Sequence, residues 1–508
     1  MKVCRRARPR SCFSRQIYQT SHYARPHSYA NAFPALAPSL DRHSFLGSSL
    51  RPPRRLGRAP LHPLNPLVPS SLASVEKIPP AVEAARLRKL QLLGVLCGFA
   101  AGAWLGAAEA PTKLVKLGIS PLVVSLLMVL GVFLARWSLP ALLRGTSQMR
   151  ADIRNAPHLI IWGILAGCLW AVANTLTIFA IRDIGLSIAF PLWNINSLLG
   201  IFWGWLLFNE LRGAGKLRWL SVLGGALLMF GGAALLAYAS AAQSSAGHPT
   251  RGILAALAAG VLWGTMYVPY RKAYLTGMNP LSFIAFFTIG ELGMMLALAL
   301  GYGGGFASLY HQLALARSVL FWLLLGGFVW VIGDLFQQYA AKYIGISRGI
   351  PLSNTNQLWG LLWGILVFGE LHGRGASLLA QVIGGSLLMA FGAGAIALSS
   401  VSSEEHSRWR QAAARESLRY SVDSAYVNAS LSGSETTPSP AGPASRSSRT
   451  LLDYFLVLSA TAIFAALAFL ARTPDLAINW TALCALVLAS LLFLFACGFA
   501  LWKITRFN

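Results

Sequence analysis

From residue 91 to the end of the chain, apolar stretches of about 20 residues alternate with short polar loops. At the rise of an α-helix, that length matches the hydrocarbon core of a bilayer. Twelve such stretches can be read, at 91–109, 119–139, 158–180, 186–208, 219–240, 252–270, 280–301, 318–341, 346–368, 378–399, 451–471 and 480–502. Backbone groups in lipid must find partners within the chain, and the period-two alternation of a membrane barrel is absent, so the stretches predict helices. A chain of 508 residues that is 55% hydrophobic and 12% charged has too little polar surface to remain in water as a soluble enzyme. The predicted fold class is all-α integral membrane.

The formal net charge of +25 does not point to nucleic acid, because of where the charge lies. Residues 1–80 hold 13 Lys/Arg against 2 acids, and most other basic residues flank apolar stretches, where positive charge sets topology. One side collects Arg86, Arg88, Lys89, Arg136, Arg144, Arg150, Arg154, Arg212, Lys216 and Arg218, then Arg271 with Lys272, Lys342 with Arg348, and the Arg-rich linker. The other has Lys113, Lys116, Arg182, Arg251, Arg317, Arg374 and Arg472. This bias predicts cytoplasmic termini and a cytoplasmic polar linker over 401–450, with the plasma membrane as location. The tail, rich in Arg, Ser and Pro, reads as disorder, as a spurious extension (no Met follows Met1 until Met128), or as a transit segment to an organelle inner membrane. The six cysteines lack metal-ligand spacing and read as packing residues.

The chain also repeats itself. Ile184 to Gly213 and Ile344 to Gly373, 160 residues apart, match without a gap at 16 of 30 positions. The register extends to Trp162 with Trp322, Gly167 with Gly327 and Trp170 with Trp330, and an offset two residues shorter pairs Gly102, Gly106 and Pro111 with Gly260, Gly264 and Pro269. The halves therefore cover 91–240 and 252–399, five spans each, with a hairpin at 451–502 outside the repeat. An odd number of spans inserts the second copy upside down, and such inverted repeats build a midplane site that opens to either side.

The runs PLWNINSLLGIFWGWLLFNEL and IGISRGIPLSNTNQLWGLLWGILVFGEL resemble those of the glucose/ribose porter family in the drug/metabolite transporter superfamily, over residues 91–399. The resemblance implies a ten-helix sugar transporter, proton-coupled in some members, with spans 1, 3, 4, 6, 8 and 9 lining a central cavity. The basic tail, the linker and the last two helices depart from that pattern.

Candidate site residues follow from polarity at membrane depth. Pro191 with Asn194 and Asn196, and Pro351 with Asn354 and Asn356, put a helix breaker beside amides that can both donate to and accept from sugar hydroxyls. Trp193 offers an apolar ring face to a pyranose. Asn194 and Asn196 cannot share one helix face, so one is expected to be structural and the other to face the cavity. Asn174, Gln337, Gln338 and Gln357 complete the expected binding set. Interhelical hydrogen bonding would use the same amides. Gly200 and Gly204, repeated as Gly360 and Gly364, read as close packing, and Glu210 and Glu370 as interfacial or gating residues. Asp334, whose repeat partner is Asn174, and Glu291, which has no acidic counterpart, are the candidates for proton coupling. Glu109 reads as interfacial.

No nucleophile elbow, phosphate loop or zinc motif appears, which argues against an enzyme or an ATP-driven pump. The expected protein is a permease for a sugar such as glucose, ribose or rhamnose, working by symport with H+. Its expected partners are the sugar and the bilayer, with no cofactor, metal or nucleic acid, and with a homodimer open. An exporter of drugs or metabolites on the same fold, and a membrane sensor or scaffold, are the alternatives.

Overall fold

The computed structural model describes residues 80–108, 119–184, 189, 192–241, 249–369, 375–423, 426–427, 449–472 and 478–507. Among these, every regular element is a helix. The first repeat contains α1 (Pro80–Ala108), α2 (Pro121–Leu143), α3 (Thr146–Asn155), α4 (Leu159–Ile184), α5 (Ile195–Phe208) and α6 (Lys216–Ala241). The second contains α7 (Pro249–Leu275), α8 (Pro280–Tyr302), α9 (Gly305–Ala316), α10 (Leu320–Ile344), α11 (Ile346–Ser353), α12 (Asn356–Leu366) and α13 (Ala376–Leu398). They are followed by α14 (Ser403–Arg419), α15 (Leu451–Leu470) and α16 (Trp480–Thr505). The chain is an all-α, multi-pass integral membrane protein: ten of its described helices are long and apolar enough to cross a bilayer.

Sequence signals set the helix starts. Asn279 caps α8 by accepting from the Leu281 amide, with Pro280 at the first helical position, where the missing N–H is harmless. Thr450 and Asp453 form a reciprocal capping box on α15.

Two of the twelve expected spans, the ones that carry Pro191 and Pro351 as helix breakers, are interrupted. The ninth divides into α11 and α12. Pro351 cannot donate to the turn before it, and the ladder then tightens: the Asn354 amide is shared between the Ile350 and Pro351 carbonyls, and the Thr355 amide turns to the nearer Leu352 carbonyl. In the fourth, Leu192 and Trp193 are helical and a turn at Asn194 precedes the helix that runs on from Ile195; Pro191 lies outside the described residues. Two further differences concern polar sequence. Residues 305–344 form one helical run in place of a loop before residue 318. Part of the linker is the helix α14, capped by Ser402. The tail 1–79, Glu109 and Glu370 also lie outside the described residues.

Packing respects an exchange of the two repeats. α1 packs on α10 as α7 packs on α4, α1 on α12 as α7 on α5, and α2 on α10 as α8 on α4, while α2 with α8 and α6 with α13 pair across the exchange. A Cβ at Gly131 would collide with the Leu324 carbonyl of α10, and one at Gly290, its repeat partner, with the Ile164 carbonyl of α4. Glycine is needed there because the helix backbones touch. Trp170 and Trp330, also repeat partners, meet edge to face at 5.4 Å.

The repeats run in opposite senses. Gln91, near the start of α1, donates to the Val401 carbonyl, and Lys272, near the end of α7, pairs with Glu416 of α14. Both therefore lie at the end of the bundle where α14 docks, called the linker end below. α15 rests on α2 and α10, and α16 on α1. Their outer faces carry exposed apolar side chains such as Phe455, Phe469 and Phe495, as lipid contact requires.

Candidate functional site

Three charged side chains meet inside the bundle. Arg136 of α2 donates from Nη1 to Glu291 Oε2 of α8 at 2.6 Å and from Nη2 to Asp334 Oδ2 of α10 at 2.8 Å. All three side chains are fully buried. Each lies at least two turns inside its helix, so the group is at membrane depth rather than at a surface. The guanidinium also lies over the rings of Phe287, 4.3 Å from its centroid, and Trp330, 5.3 Å away, contacts that favour a cation. The two carboxyls expected to couple protons are thus held by one guanidinium. Arg136, counted by sequence among the charges that flank the membrane, is instead wholly buried in the bundle. The missed signal was a single cation inside an otherwise uncharged apolar run, seven residues from its end.

Neighbouring amides of α10 bond to this centre and to the helix break at Ser353. Gln338 donates to Asp334 Oδ1 at 3.0 Å and accepts from the Tyr274 hydroxyl of α7. On the same helix, Gln337 donates to Ser353 Oγ at 2.6 Å, the last residue of α11. The next residue, Asn354, donates across the repeats to Asn196 Oδ1 at 3.0 Å and Ser197 Oγ at 2.6 Å. Asn196 and Asn354 therefore hold the two interrupted spans together, the interhelical use of an amide.

Asn194 differs. It sits where α5 begins, it is buried, and its Nδ2 has no hydrogen-bond partner among the described residues. Asn196 is thus tied between helices, while Asn194 carries an amide nitrogen without a partner among the described residues. Trp193 meets Trp263 of α7 edge to face at 5.9 Å, and Trp263 Nε1 is likewise buried without a partner. Among the other expected residues, Asn174 donates to Ser125 of α2 at 3.2 Å, Gln357 is buried in α12, and Asn356 opens that helix half-buried. Gly204 lies against Ser347 and Glu210, and Gly360 against Gly106, as close packing predicts. Gly200 is also buried, but a Cβ there would meet only ordinary contacts with Ile346 and Tyr267, so tight packing does not explain it. Gly364 is buried in α12.

A second charged cluster closes the linker end. Glu210, fully buried after α5, accepts from the Ile346 amide at 3.1 Å and the Ser347 amide at 2.8 Å, so a carboxylate of the first repeat caps the N-terminus of α11 in the second. Arg271 Nε lies 2.7 Å from Glu210 Oε1, and Arg271 Nη1 donates to the Ala341 and Lys342 carbonyls at the end of α10. Arg271, Lys272, Lys342 and Arg348, read from sequence as loop charges, are all buried here.

A family model described as "Sugar transport protein" matches residues 254–427, from α7 through the segment beyond α14. A Listeria innocua protein named for sugar uptake is 24% identical over 208 residues, covering 41% of this chain and 68% of its own length. A Staphylococcus aureus (strain Mu50) protein named for glucose uptake is 25% identical over 236 residues, covering 43% and 72%. A Listeria monocytogenes protein named for sugar uptake is 24% identical over 208 residues, covering 41% and 68%. The chain is thus similar to sugar transport proteins over part of its length.

Proposed function

We propose that the protein is a secondary transporter that carries a sugar by alternating access, coupled to H+ through Arg136, Glu291 and Asp334. One guanidinium balances one carboxylate. The trio is therefore neutral when it holds one proton and carries a charge of −1 when it holds none, a difference that matters greatly away from water. Proton uptake and release would favour different arrangements of α2, α8 and α10, the helices that bear these groups.

The observation that carries the reading is the bonded path from Asp334's helix through Gln337 and Ser353 to the Asn354–Asn196 bridge. A sugar hydroxyl competing for these amides, or binding the free Asn194 amide beside Trp193, would disturb the same helix that carries the proton-binding carboxyl. Substrate and proton would then share one conformational equilibrium, which is what coupling requires. The plasma membrane, with both termini cytoplasmic, is the setting that the loop charges support; removing Arg136 from that tally leaves the bias intact.

The test is uptake of labelled glucose, ribose and rhamnose into liposomes bearing the protein, with and without a pH gradient. Saturable flux of at least one sugar, accelerated by the gradient, is expected. No flux for any sugar overturns the transport reading. Flux whose pH dependence survives in both Asp334→Asn and Glu291→Gln overturns the coupling while leaving transport.

A further inference from the structure

The segment after the second repeat is bonded to both repeats at the linker end. Glu405 of α14 is fully buried and accepts from Arg348 Nη1 at 2.7 Å and Nη2 at 3.0 Å, on α11 of the second repeat. The same carboxylate accepts from the Leu211 amide at 2.9 Å, just after α5 of the first repeat. Arg348 Nε donates to the Ser399 carbonyl at 2.8 Å, and Ser402 Oγ donates to the Gly213 carbonyl at 3.3 Å.

The contacts continue along α14. Trp409 lies under Arg271, 4.3 Å from the guanidinium to the ring centroid, and this is the arginine that faces Glu210 in the closure. Glu416 pairs with Lys272 at 2.9 Å. Tyr420 stacks on His158 of the first repeat at 3.8 Å, and the Tyr426 hydroxyl donates to Asp152 of α3 at 3.0 Å.

We propose that residues 399–423, with Tyr426, act as a strap that holds the linker end shut and must lift before the site can open to that side. The proposal rests on the alternating-access reading for its purpose and on these contacts for its geometry. Opening requires the ends of α5 and α11 to separate, because Glu210 joins them across the repeats. Glu405 bonds a group at the end of each, Leu211 and Arg348, so its bonds cannot all survive the separation. A segment that binds one of two states better than the other sets their populations. The strap therefore slows opening toward its own side.

The test places a reporter in the closure: Ser347→Cys, fully buried at the start of α11, in full-length protein whose six native cysteines are replaced by alanine. A membrane-impermeant maleimide is applied from the linker side. Glu405→Gln is expected to speed labelling about tenfold, as a modest shift in a two-state equilibrium produces, and Glu416→Gln, at the strap's rim, about twofold. Thermal unfolding in detergent establishes that each variant is folded. Labelling no faster than in the parent for the folded variants overturns the strap. Should Glu405→Gln not fold, Glu416→Gln decides by the same criterion. The readout needs no substrate, so a chain that carries no sugar but labels faster keeps the strap and loses the transport reading, and the reverse result separates them equally.

Discussion

The two repeats place different chemistry at equivalent points of one scaffold. In register with Gly131 and Gly290, Arg136 corresponds to Met295 and Glu291 to Val132, and Asp334 corresponds to Asn174. On one side of the exchange stands a buried cation between two carboxyls. On the other, Met295 sulfur receives only the Thr175 hydroxyl at 4.0 Å, and Asn174 bonds to Ser125. Yet the helix contacts around both points match, down to the glycines that let α2 touch α10 and α8 touch α4. Close packing constrains shape and is tolerant of which residue supplies charge, so symmetry persists in the scaffold while the ionisable groups stand on one side of the exchange only.

The strongest way to break this comparison is to erase the difference. Arg136→Met leaves two buried carboxyls without their cation and is expected to destabilise the protein by about 3–5 kcal/mol, read as a lowered thermal unfolding temperature in detergent. Adding Glu291→Val and Asp334→Asn, which copies the residues of the exchange-related point into the centre, should recover most of that stability because the charge is removed with its partners. The triple variant is expected to lose pH-driven uptake all the same.

A smaller effect sharpens the symmetric side. Gly131→Ala and Gly290→Ala each push a methyl group against a neighbouring helix carbonyl, costing about 1–3 kcal/mol. Their unfolding temperatures should fall together, and a large loss for one with none for the other would show that the scaffold is less symmetric than its contacts.

The smallest expected effect lies at the strap, away from the asymmetric centre. Burial first, then the adjacent Lys272, hold the His158 pKa below its ordinary value of 6.5, with Glu416 opposing. The neutral imidazole stacks on Tyr420, near Lys272, which itself lies over Trp162 and Tyr420. A lowered folded-state pKa means the docking contribution is complete above pH 6.5 and lost as pH falls through the lowered value. Labelling at Ser347→Cys, taken relative to the rate of a free thiol at the same pH, should therefore rise modestly from pH 7.5 to 5.5, and His158→Phe should flatten the change.

Much of the fold was legible because a membrane helix is announced by length and hydrophobicity alone, and the repeat by identity at fixed offset. Pro351 announced an interruption but not where the helix would restart, since Asn354 and Thr355 settle that through their own amides. Which of Asn194 and Asn196 would be free depended on the rotation of α5 against α11, which spacing does not encode. Arg136 was hidden by its nearness to the end of its span, where a cation ordinarily marks topology. The strap looked like polar linker because its buried groups, Glu405 and Trp409, are matched by residues some 60 to 200 positions away.

The central claim, that sugar and proton move through one centre, is tested most directly by recording charge movement when sugar is added to liposomes bearing the protein on a sensor membrane at zero pH gradient. A sugar-dependent current is predicted for the parent chain, accompanied by alkalinisation on the side of addition, and both should vanish in Asp334→Asn combined with Glu291→Gln. Sugar flux without current or pH change in the parent, or an undiminished current in the double variant, would contradict the account.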